Sequence, residues 1–255
     1  MRMDNKKYWE FENKGATEAD LYLYIEIASW GSGYSAHSAQ SFKDELDSLG
    51  NIDTLNIYIN CPGGDVFEGV AIANMLSRKP CVKNVYIDGI AASIASVIAM
   101  AGDNIYMPSN AMMMVHNVMI GAYGYADDLR ASADIADKIT DSIRQTYLDK
   151  AGDKLDLAAI TDLMDAESWL TAQECLDYGL CTEITAPVQA VACLDAKYKD
   201  IYKKAPINLL QPADNKITAV TNKNIDNANK NDDTDDKIAD INNMIKQTDL
   251  FIALG

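Results

Sequence analysis

The sequence predicts an α/β fold with a largely parallel β-sheet, and three observations support this prediction. Short apolar, β-branched runs alternate with segments of helical periodicity between residues 54 and 115, a rhythm typical of βαβ units. A Pro-Gly-Gly turn at residues 62–64 separates one predicted strand from the helix that follows it. Hydrophobic residues make up 48% of the 255 positions, enough for a chain of this length to bury a substantial core.

Periodicity and capping residues define the individual elements. Strands are predicted at residues 20–28, 54–60, 82–87, 104–107, 111–115 and 180–184. Helices are predicted at residues 39–49, 66–77, 92–101, 126–150, 156–164 and 171–178. Gly50 ends the first of these helices, and Thr171 with Glu174 forms a predicted capping box at the start of the last.

The long helix predicted at residues 126–150 carries an apolar stripe. Ile135, Ile139, Ile143 and Tyr147 follow one another at intervals of four residues, with charged residues on the other face. At 1.5 Å per residue such a helix extends roughly 37 Å, long enough to project from a compact domain. The stripe fits either contact with a partner subunit or packing on the chain's own sheet.

Charge and composition exclude several classes of function. The net charge of −16 argues against nucleic acid or an anionic membrane as a partner, because both require a cationic surface. The sequence has no apolar run of ~20 residues and predicts neither a membrane span nor a secretory signal. The five cysteines lack CxxC spacing and only two histidines are present. These features predict a cytoplasmic protein with no metal site and no cofactor.

The composition divides the chain into three predicted parts. Residues 1–17 form an N-terminal segment, residues 18–200 the folded domain, and residues 201–255 a polar C-terminal tail that is predicted to be disordered. Residues 214–243 are rich in Asn, Asp and Lys and are predicted to be disordered. The apolar residues within 244–254 fit either a short docking segment or a frayed terminus.

Ser93 and His116 are the residues that suggest catalysis. Ser93 lies among small residues at the start of a predicted helix, where the amide of Ile94 and the helix dipole favour developing negative charge. A serine in such a context is more often a small packing residue. A catalytic role for Ser93 therefore also requires a base within hydrogen-bonding distance. His37 lies in a polar stretch, whereas His116 ends an apolar strand, where α/β sheets place their ligand sites.

The glycine turn and a later pair of carboxylates complete the candidate set. Gly64 presents a backbone amide suited to an oxyanion hole, and Asp65 is predicted to cap the following helix rather than act in catalysis. Asp165 and Glu167 are both candidates for the carboxylate that orients a histidine. The sequence lacks G-x-S-x-G, H-E-x-x-H and G-x-x-x-x-G-K-[ST] motifs.

Four motifs in order resemble the Clp protease proteolytic subunit family. They are Asn-Cys-Pro-Gly-Gly at 60–64, Gly-Ile-Ala-Ala-Ser at 89–93, Met-Val-His at 114–116, and Glu-Ser-Trp-Leu-Thr-Ala at 167–172 followed by Tyr-Gly-Leu at 178–180. The resemblance covers roughly residues 18–186. It implies the Clp protease/crotonase fold of repeated ββα units, with the helix at 126–150 as the projecting handle that pairs two heptameric rings.

By the same resemblance, residues 18–200 form a serine peptidase domain. Ser93 is the nucleophile, His116 the base and Glu167 the acid, while the amides of Gly64 and Ile94 form the oxyanion hole. The family usually has Asp where this sequence has Glu167, so Asp165 is the alternative acid. Ser168 replaces the arginine that follows the acid in housekeeping members. The family's proline two residues after the histidine is also absent, since Val118 stands there.

The variant motifs resemble the phage branch of this family, whose members mature the phage head. The resemblance implies a self-assembling serine endopeptidase that cleaves scaffold or capsid precursors in the host cytoplasm or the prohead. One alternative is the housekeeping subunit that works with an AAA+ ATPase. A crotonase-type acyl-CoA enzyme needs no Ser-His pair and is disfavoured. A catalytically inactive structural subunit is the remaining alternative.

Overall fold

The structure is a computed structural model that describes residues 7–28, 38–187, 194 and 198–206. All of these residues belong to the unit formed by residues 1–215. The segments predicted as disordered at 214–243 and as a docking or frayed terminus at 244–254 lie outside the described residues, as does His37. Among the described helices, none combines the length and the apolar character that a membrane span requires.

Eight strands form one sheet in which most neighbouring strands are parallel. The order is β1-β2-β3-β4-β5-β8, and β6 joins β4 to β7 away from this path. Only the pairs β1–β2 and β6–β7 are antiparallel. The strands are β1 Glu10–Asn13, β2 Glu18–Leu23, β3 Thr54–Cys61, β4 Val82–Ala92, β5 Asn104–Pro108, β6 Met112–Val115, β7 Ser168–Thr171 and β8 Glu183–Thr185.

Seven described α-helices accompany the sheet. They are α1 Ala39–Ser48, α2 Val66–Arg78, α3 Ile94–Ala99, α4 Ala126–Ala151, α5 Leu157–Asp165, α6 Ala172–Asp177 and α7 Tyr198–Ile201. As predicted, Asp65 caps α2 by accepting a hydrogen bond from the Glu68 amide, and Thr171 and Glu174 form a capping box on α6. The structure therefore confirms the predicted α/β class.

Several element boundaries differ from the predictions. The short strands β1 and β7 were not predicted, because four residues carry little periodicity and are held by a neighbouring strand. The strand predicted at 20–28 ends at Leu23. The helix predicted at 92–101 begins only at Ile94, because Ser93 has a positive φ of 55° that no α-helix accommodates.

The long strand β4 gives the fold its functional edge. Residues 82–87 of β4 pair with β3, residues 84–86 also pair with β5, and residues 90–92 pair with β6 while Ala91 still pairs with Cys61 of β3. The neighbour of β4 on one side therefore changes from β5 to β6, and the end of β4 forms a short branch of the sheet with β6 and β7 (the short sheet). Residues that follow β4 and β6 are brought to one edge, where parallel strands place functional groups.

The two halves of helix α4 differ in the burial of their apolar side chains. Ile143 and Tyr147 in the second half are buried against the domain, and Ile139 is partly buried. In the first half Ile135 is 53% exposed and Leu129 is 45% exposed. The second half thus contributes to the core, whereas the first half leaves large apolar side chains in solvent.

Candidate active site

Ser93 lies directly between the end of β4 and the start of α3. Its amide donates to the carbonyl of Met114 at 2.9 Å, which continues the β4–β6 pairing by one step. Its backbone is strained, with φ 55° and ψ −128°, and such conformations of non-glycine residues concentrate at functional sites. The turn presents the hydroxyl at the edge of the short sheet instead of burying it in the helix.

The hydroxyl of Ser93 is hydrogen-bonded to His116. The distance from Ser93 Oγ to His116 Nε2 is 2.7 Å, within the range expected of a nucleophile and its base. His116 follows the last residue of β6, and the β4–β6 register pairs Ala92 with Met114. Two parallel neighbouring strands therefore end side by side and deliver the two side chains to the same place.

Burial sets the protonation of His116. Removal of the ring from water lowers the pKa of His116, and the charge of Glu167 opposes this by raising it. The net pKa lies below the ordinary value of about 6.5, so the imidazole is mainly neutral at pH 7. A neutral ring with an unprotonated Nε2 accepts the hydrogen bond from the serine hydroxyl, as a general base must.

The β6–β7 pairing brings Glu167 to the same edge. Val115 pairs with Ser168 in an antiparallel register, so His116 and Glu167 are the next residues beyond the paired segment. Glu167 has a positive φ of 50°, another strained position beside the site. This register, and not the spacing along the sequence, makes Glu167 a neighbour of His116.

Neither candidate carboxylate is hydrogen-bonded to His116 within the described part of the chain. The carboxylate of Glu167 accepts hydrogen bonds from the backbone amides of Lys203 and Lys204, at 3.1 and 2.7 Å. Asp165 is exposed and accepts a hydrogen bond from Asn117 Nδ2 at 2.7 Å. The structure thus brings Ser93 and His116 together and places Glu167 close by, with its carboxylate occupied elsewhere.

The glycine turn lies beside Ser93 and requires glycine. Gly63 and Gly64 have φ of 103° and 140°. A Cβ on Gly63 would lie 2.7 Å from the Ser93 Cβ, and one on Gly64 would lie 1.9 Å from the carbonyl oxygen of Ile27. The turn is pinned by the Ile27 backbone, which donates to the Gly63 carbonyl and accepts from the Asp65 amide.

A cavity of about 180 Å³ joins these groups. Gly64, Ser93, Ile94 and His116 line it together, with apolar side chains of α2, α3 and α4 behind them. Within the described residues the amides of Gly64 and Ile94 donate to no protein group. Both residues line the space next to the serine hydroxyl, which is where an oxyanion would form during acyl transfer. Residues of α7 close the cavity on the other side.

Two further residues support Ser93 and were not singled out in the sequence as members of the site. Ser96 is fully buried, donates to the carbonyl of Ser93 at 2.6 Å, and is hydrogen-bonded to the Tyr147 hydroxyl at 2.7 Å. Tyr147 is the last residue of the apolar stripe of α4, so the sequence predicted that it lies on the apolar face. The sequence did not predict its hydrogen bond to Ser96. This network connects the long helix to the backbone of Ser93.

Comparison with known proteins identifies the family. A family model described as Clp protease matches residues 27–188. Two curated relatives from different strains of Bacteroides fragilis, both named ATP-dependent Clp protease proteolytic subunit, are 31% identical to this chain over 154 residues. These alignments cover 59% of this chain and 73% and 69% of the two relatives. The chain belongs to the Clp protease family.

Membership in the Clp protease family makes the chain a peptidase, which hydrolyses peptide bonds in proteins. The family match contains all of the candidate site residues, from Gly64 to Glu167. It ends at residue 188, so Leu194 and residues 198–206 lie beyond it. The segment that lines the other side of the cavity therefore lies outside the part of the chain that is matched to the Clp protease family.

Cys61 is the other nucleophilic side chain close to the glycine turn. It is fully buried and donates to the carbonyl of Ile25 at 3.1 Å. Burial raises the pKa of Cys61 to about 12, so the thiol stays protonated at neutral pH and is a poor nucleophile. Its role is to pack beneath the turn, which leaves Ser93 as the candidate nucleophile.

Proposed function

We propose that this Clp family peptidase is a serine endopeptidase in which Ser93 is the nucleophile and His116 the general base. The observation that carries the proposal is the 2.7 Å hydrogen bond between Ser93 Oγ and His116 Nε2. His116 takes the hydroxyl proton as Oγ attacks the scissile carbonyl carbon, and then gives it to the leaving amine. Water then attacks the resulting acyl-enzyme. His116 takes a proton from this water and gives it to Ser93 Oγ as the acid product leaves.

The amides of Gly64 and Ile94 are proposed to bind the oxyanion of the tetrahedral intermediate. Both residues line the cavity beside Ser93, and Ile94 is the first residue of α3, where the helix dipole favours negative charge. Fixed donors in a partly dry site stabilise such charge without reorganisation, and each contributes about 3 kcal/mol in well-studied serine peptidases.

Glu167 is proposed as the carboxylate that orients His116. Its charge raises the pKa of the ring, and it immediately precedes β7, at the position opposite His116. Asp165 remains the alternative, but it is engaged by Asn117. The hydrogen bond from the ring Nδ1 to Glu167 is proposed to form when the carboxylate leaves the amides of Lys203 and Lys204.

An activated serine is tested directly by intact-mass analysis after treatment with a fluorophosphonate. The largest assembly isolated by gel filtration is expected to gain one adduct per chain, and Ser93→Ala none. Ser132→Ala, which removes a partly exposed hydroxyl on α4, is the control and should react as the wild type does. An adduct that persists in Ser93→Ala contradicts the assignment, and no adduct in any variant favours an inactive structural subunit.

The pH dependence of peptide hydrolysis tests the roles of His116 and Glu167. The base acts only when neutral, so kcat/KM is expected to fall as the pH decreases through the pKa of His116, below about 6.5. Glu167→Gln removes the charge that raises this pKa. In this variant the fall of kcat/KM should therefore occur at lower pH, and the maximal kcat/KM should be reduced. Asp165→Asn serves as the control, and its pH profile should match that of the wild type. If Glu167→Gln does not shift the pH profile, Asp165 is favoured as the acid.

The peptidase domain, proposed as residues 18–200, is expected to assemble into homo-oligomeric rings. The exposed Ile135 and Leu129 on the first half of α4 are proposed to contact the opposite ring. We expect Ile135→Asp to halve the mass of the assembly in gel filtration with light scattering, without lowering the unfolding temperature. Ala133→Asp puts the same charge about 200° around the helix and should leave the assembly intact. Equal effects of both would refute this contact.

We further propose that the substrates are phage scaffold or capsid precursors, with residues 1–17 and 201–255 as segments flanking the peptidase domain. The support is the variant form of the motifs, including Ser168 after the acid. This role places the enzyme in the host cytoplasm or the prohead. Co-expression with the capsid precursor is expected to yield a defined cleavage that depends on Ser93.

A second candidate is the subunit of an ATP-dependent protease. The observation that favours it is the name of both Bacteroides fragilis relatives, ATP-dependent Clp protease proteolytic subunit. This role predicts that an AAA+ unfoldase and ATP are needed for degradation of a folded protein, whereas capsid maturation predicts cleavage without either. The two roles share the same serine chemistry, so the labelling experiment does not separate them.

A further inference from the structure

The described segment at 198–206 lies in the candidate cleft. Tyr198 and Tyr202 are buried, with 4% and 5% of their surface exposed. They pack with Leu194 on Ile90, Ala92 and Met114, on the face of the short sheet opposite the main core. Their rings are stacked, with centroids 5.6 Å apart. A polar segment thus places its apolar side chains on the two strands that end at Ser93 and His116.

Tyr202 contacts the groups around the candidate nucleophile. Its hydroxyl donates to the carbonyl of Pro62 and lies 3.2 Å from the position that a Cβ on Gly63 would occupy. Its ring meets the ring of His116 edge-on, with centroids 5.7 Å apart. Burial raises the pKa of Tyr202, while contact with the Ser93 hydroxyl lowers it. The tyrosine therefore occupies space that a substrate needs beside Ser93.

The residues after Tyr202 hold the proposed acid. The amides of Lys203 and Lys204 donate to the two carboxylate oxygens of Glu167, at 3.1 and 2.7 Å. Backbone amides that donate to a carboxylate form strong, charge-assisted hydrogen bonds. While they last, both oxygens are turned toward this segment, and His116 lacks a carboxylate partner among the described residues.

We propose that residues 198–204 are an intramolecular ligand of the peptidase cleft and hold the enzyme in a latent state. The inference rests on the serine peptidase function proposed above. The ligand of the cleft is thereby a peptide with two aromatic side chains four residues apart, followed by two backbone amides that donate to Glu167. Two effects act together, because Tyr202 blocks the approach to Ser93 and the two amides withhold Glu167 from His116.

Release of the segment is the activating step. When residues 198–204 leave, the cleft opens and the carboxylate of Glu167 becomes available to the ring Nδ1 of His116. The segment begins beyond the part of the chain that matches the Clp protease family. The contacts therefore involve residues outside the part of the chain that the family match covers.

The rate of fluorophosphonate labelling at Ser93 tests the proposal in the full-length chain. Tyr202→Ala removes the buried ring and is expected to accelerate labelling at least tenfold. The reason is that loss of a buried aromatic side chain shifts the equilibrium between the bound and released segment by more than tenfold. Tyr123→Ala removes a fully exposed tyrosine and should label at the wild-type rate. A Tyr202→Ala variant that labels at the wild-type rate or more slowly overturns the proposal.

A second pair of variants keeps the aromatic packing and changes only the amide. Lys204→Pro removes the donor that contacts Glu167, whereas Lys204→Ala retains it. The proline variant should label faster and hydrolyse peptides faster, and the alanine variant should match the wild type. Equal rates in the two variants would show that the hydrogen bond to Glu167 does not restrain the enzyme.

A synthetic peptide of residues 194–206 added to Tyr202→Ala should restore slow labelling, and the same peptide with alanine in place of Tyr202 should not. Failure of the first peptide to slow labelling counts against a ligand site in the cleft. The outcomes also separate the two proposals. If wild type and all variants label equally fast at Ser93, latency is wrong and the peptidase stands. If Ser93 is labelled in none of them, both proposals fail.

Discussion

Replacement of Ser93 by alanine is expected to reduce peptide hydrolysis by at least about 10³-fold while the fold and the assembly persist. The hydroxyl is the only group the substitution removes, and His116 then has no nucleophile to deprotonate. Loss of any member of such a catalytic unit leaves only the contribution of the oxyanion hole and of substrate binding. The measurement is hydrolysis of a fluorogenic peptide, with reference to the wild type and to Tyr202→Ala.

The stability of the Ser93→Ala variant should stay close to that of the wild type. Alanine also has a Cβ and so tolerates φ 55° no worse than serine does. The hydrogen bond from the backbone amide of residue 93 to the Met114 carbonyl is unaffected. The expected change in the free energy of unfolding is within about 1 kcal/mol. Proteolysis retained at the wild-type rate by a folded Ser93→Ala variant would disprove the mechanism.

The second large effect is expected at Gly64, where alanine should destabilise the protein by about 3 kcal/mol or more. The added methyl group would lie 1.9 Å from the carbonyl oxygen of Ile27, and the residue would need φ 140°. The collision is with backbone that hydrogen bonds to Gly63 and Asp65 hold in place. Relief therefore requires movement of the whole turn, including the proposed oxyanion donor.

Chemical unfolding of Gly64→Ala measures this loss, and labelling of any folded fraction should also be strongly reduced. Gly15→Ala is the matched control, since no atom lies within 4 Å of its added Cβ and its φ is not positive. Its unfolding free energy should stay within about 1 kcal/mol of the wild type. Equal stability of the two variants would show that the turn is more adaptable than its geometry indicates.

The sequence predicted the local parts of the site because their signals are local. Small residues before Ser93 indicate a tight strand-to-helix turn, the glycine pair at 63 and 64 indicates positive φ, and the scarcity of histidines directs attention to His116. Each of these is encoded within a few residues. The α/β class followed for the same reason, since periodicity and capping act over one element at a time.

The identity of the proposed acid could not be decided in this way. Asp165 and Glu167 are two residues apart and are chemically alike, so no local pattern separates them. The β6–β7 register separates them, because pairing of Val115 with Ser168 puts Glu167 beside His116. That register depends on β7, a four-residue strand too short to be recognised from its own sequence.

The sequence by itself thus determined the fold class, the glycine turn and the pair Ser93 and His116. The family resemblance had indicated Glu167 as the acid, but only the tertiary structure showed the β6–β7 register that puts it opposite His116 and the position of Tyr202 in the cleft. Tyr202 meets Pro62 across 140 positions of the chain. Contacts at that separation arise from the packing of whole elements, and no short stretch of sequence records them.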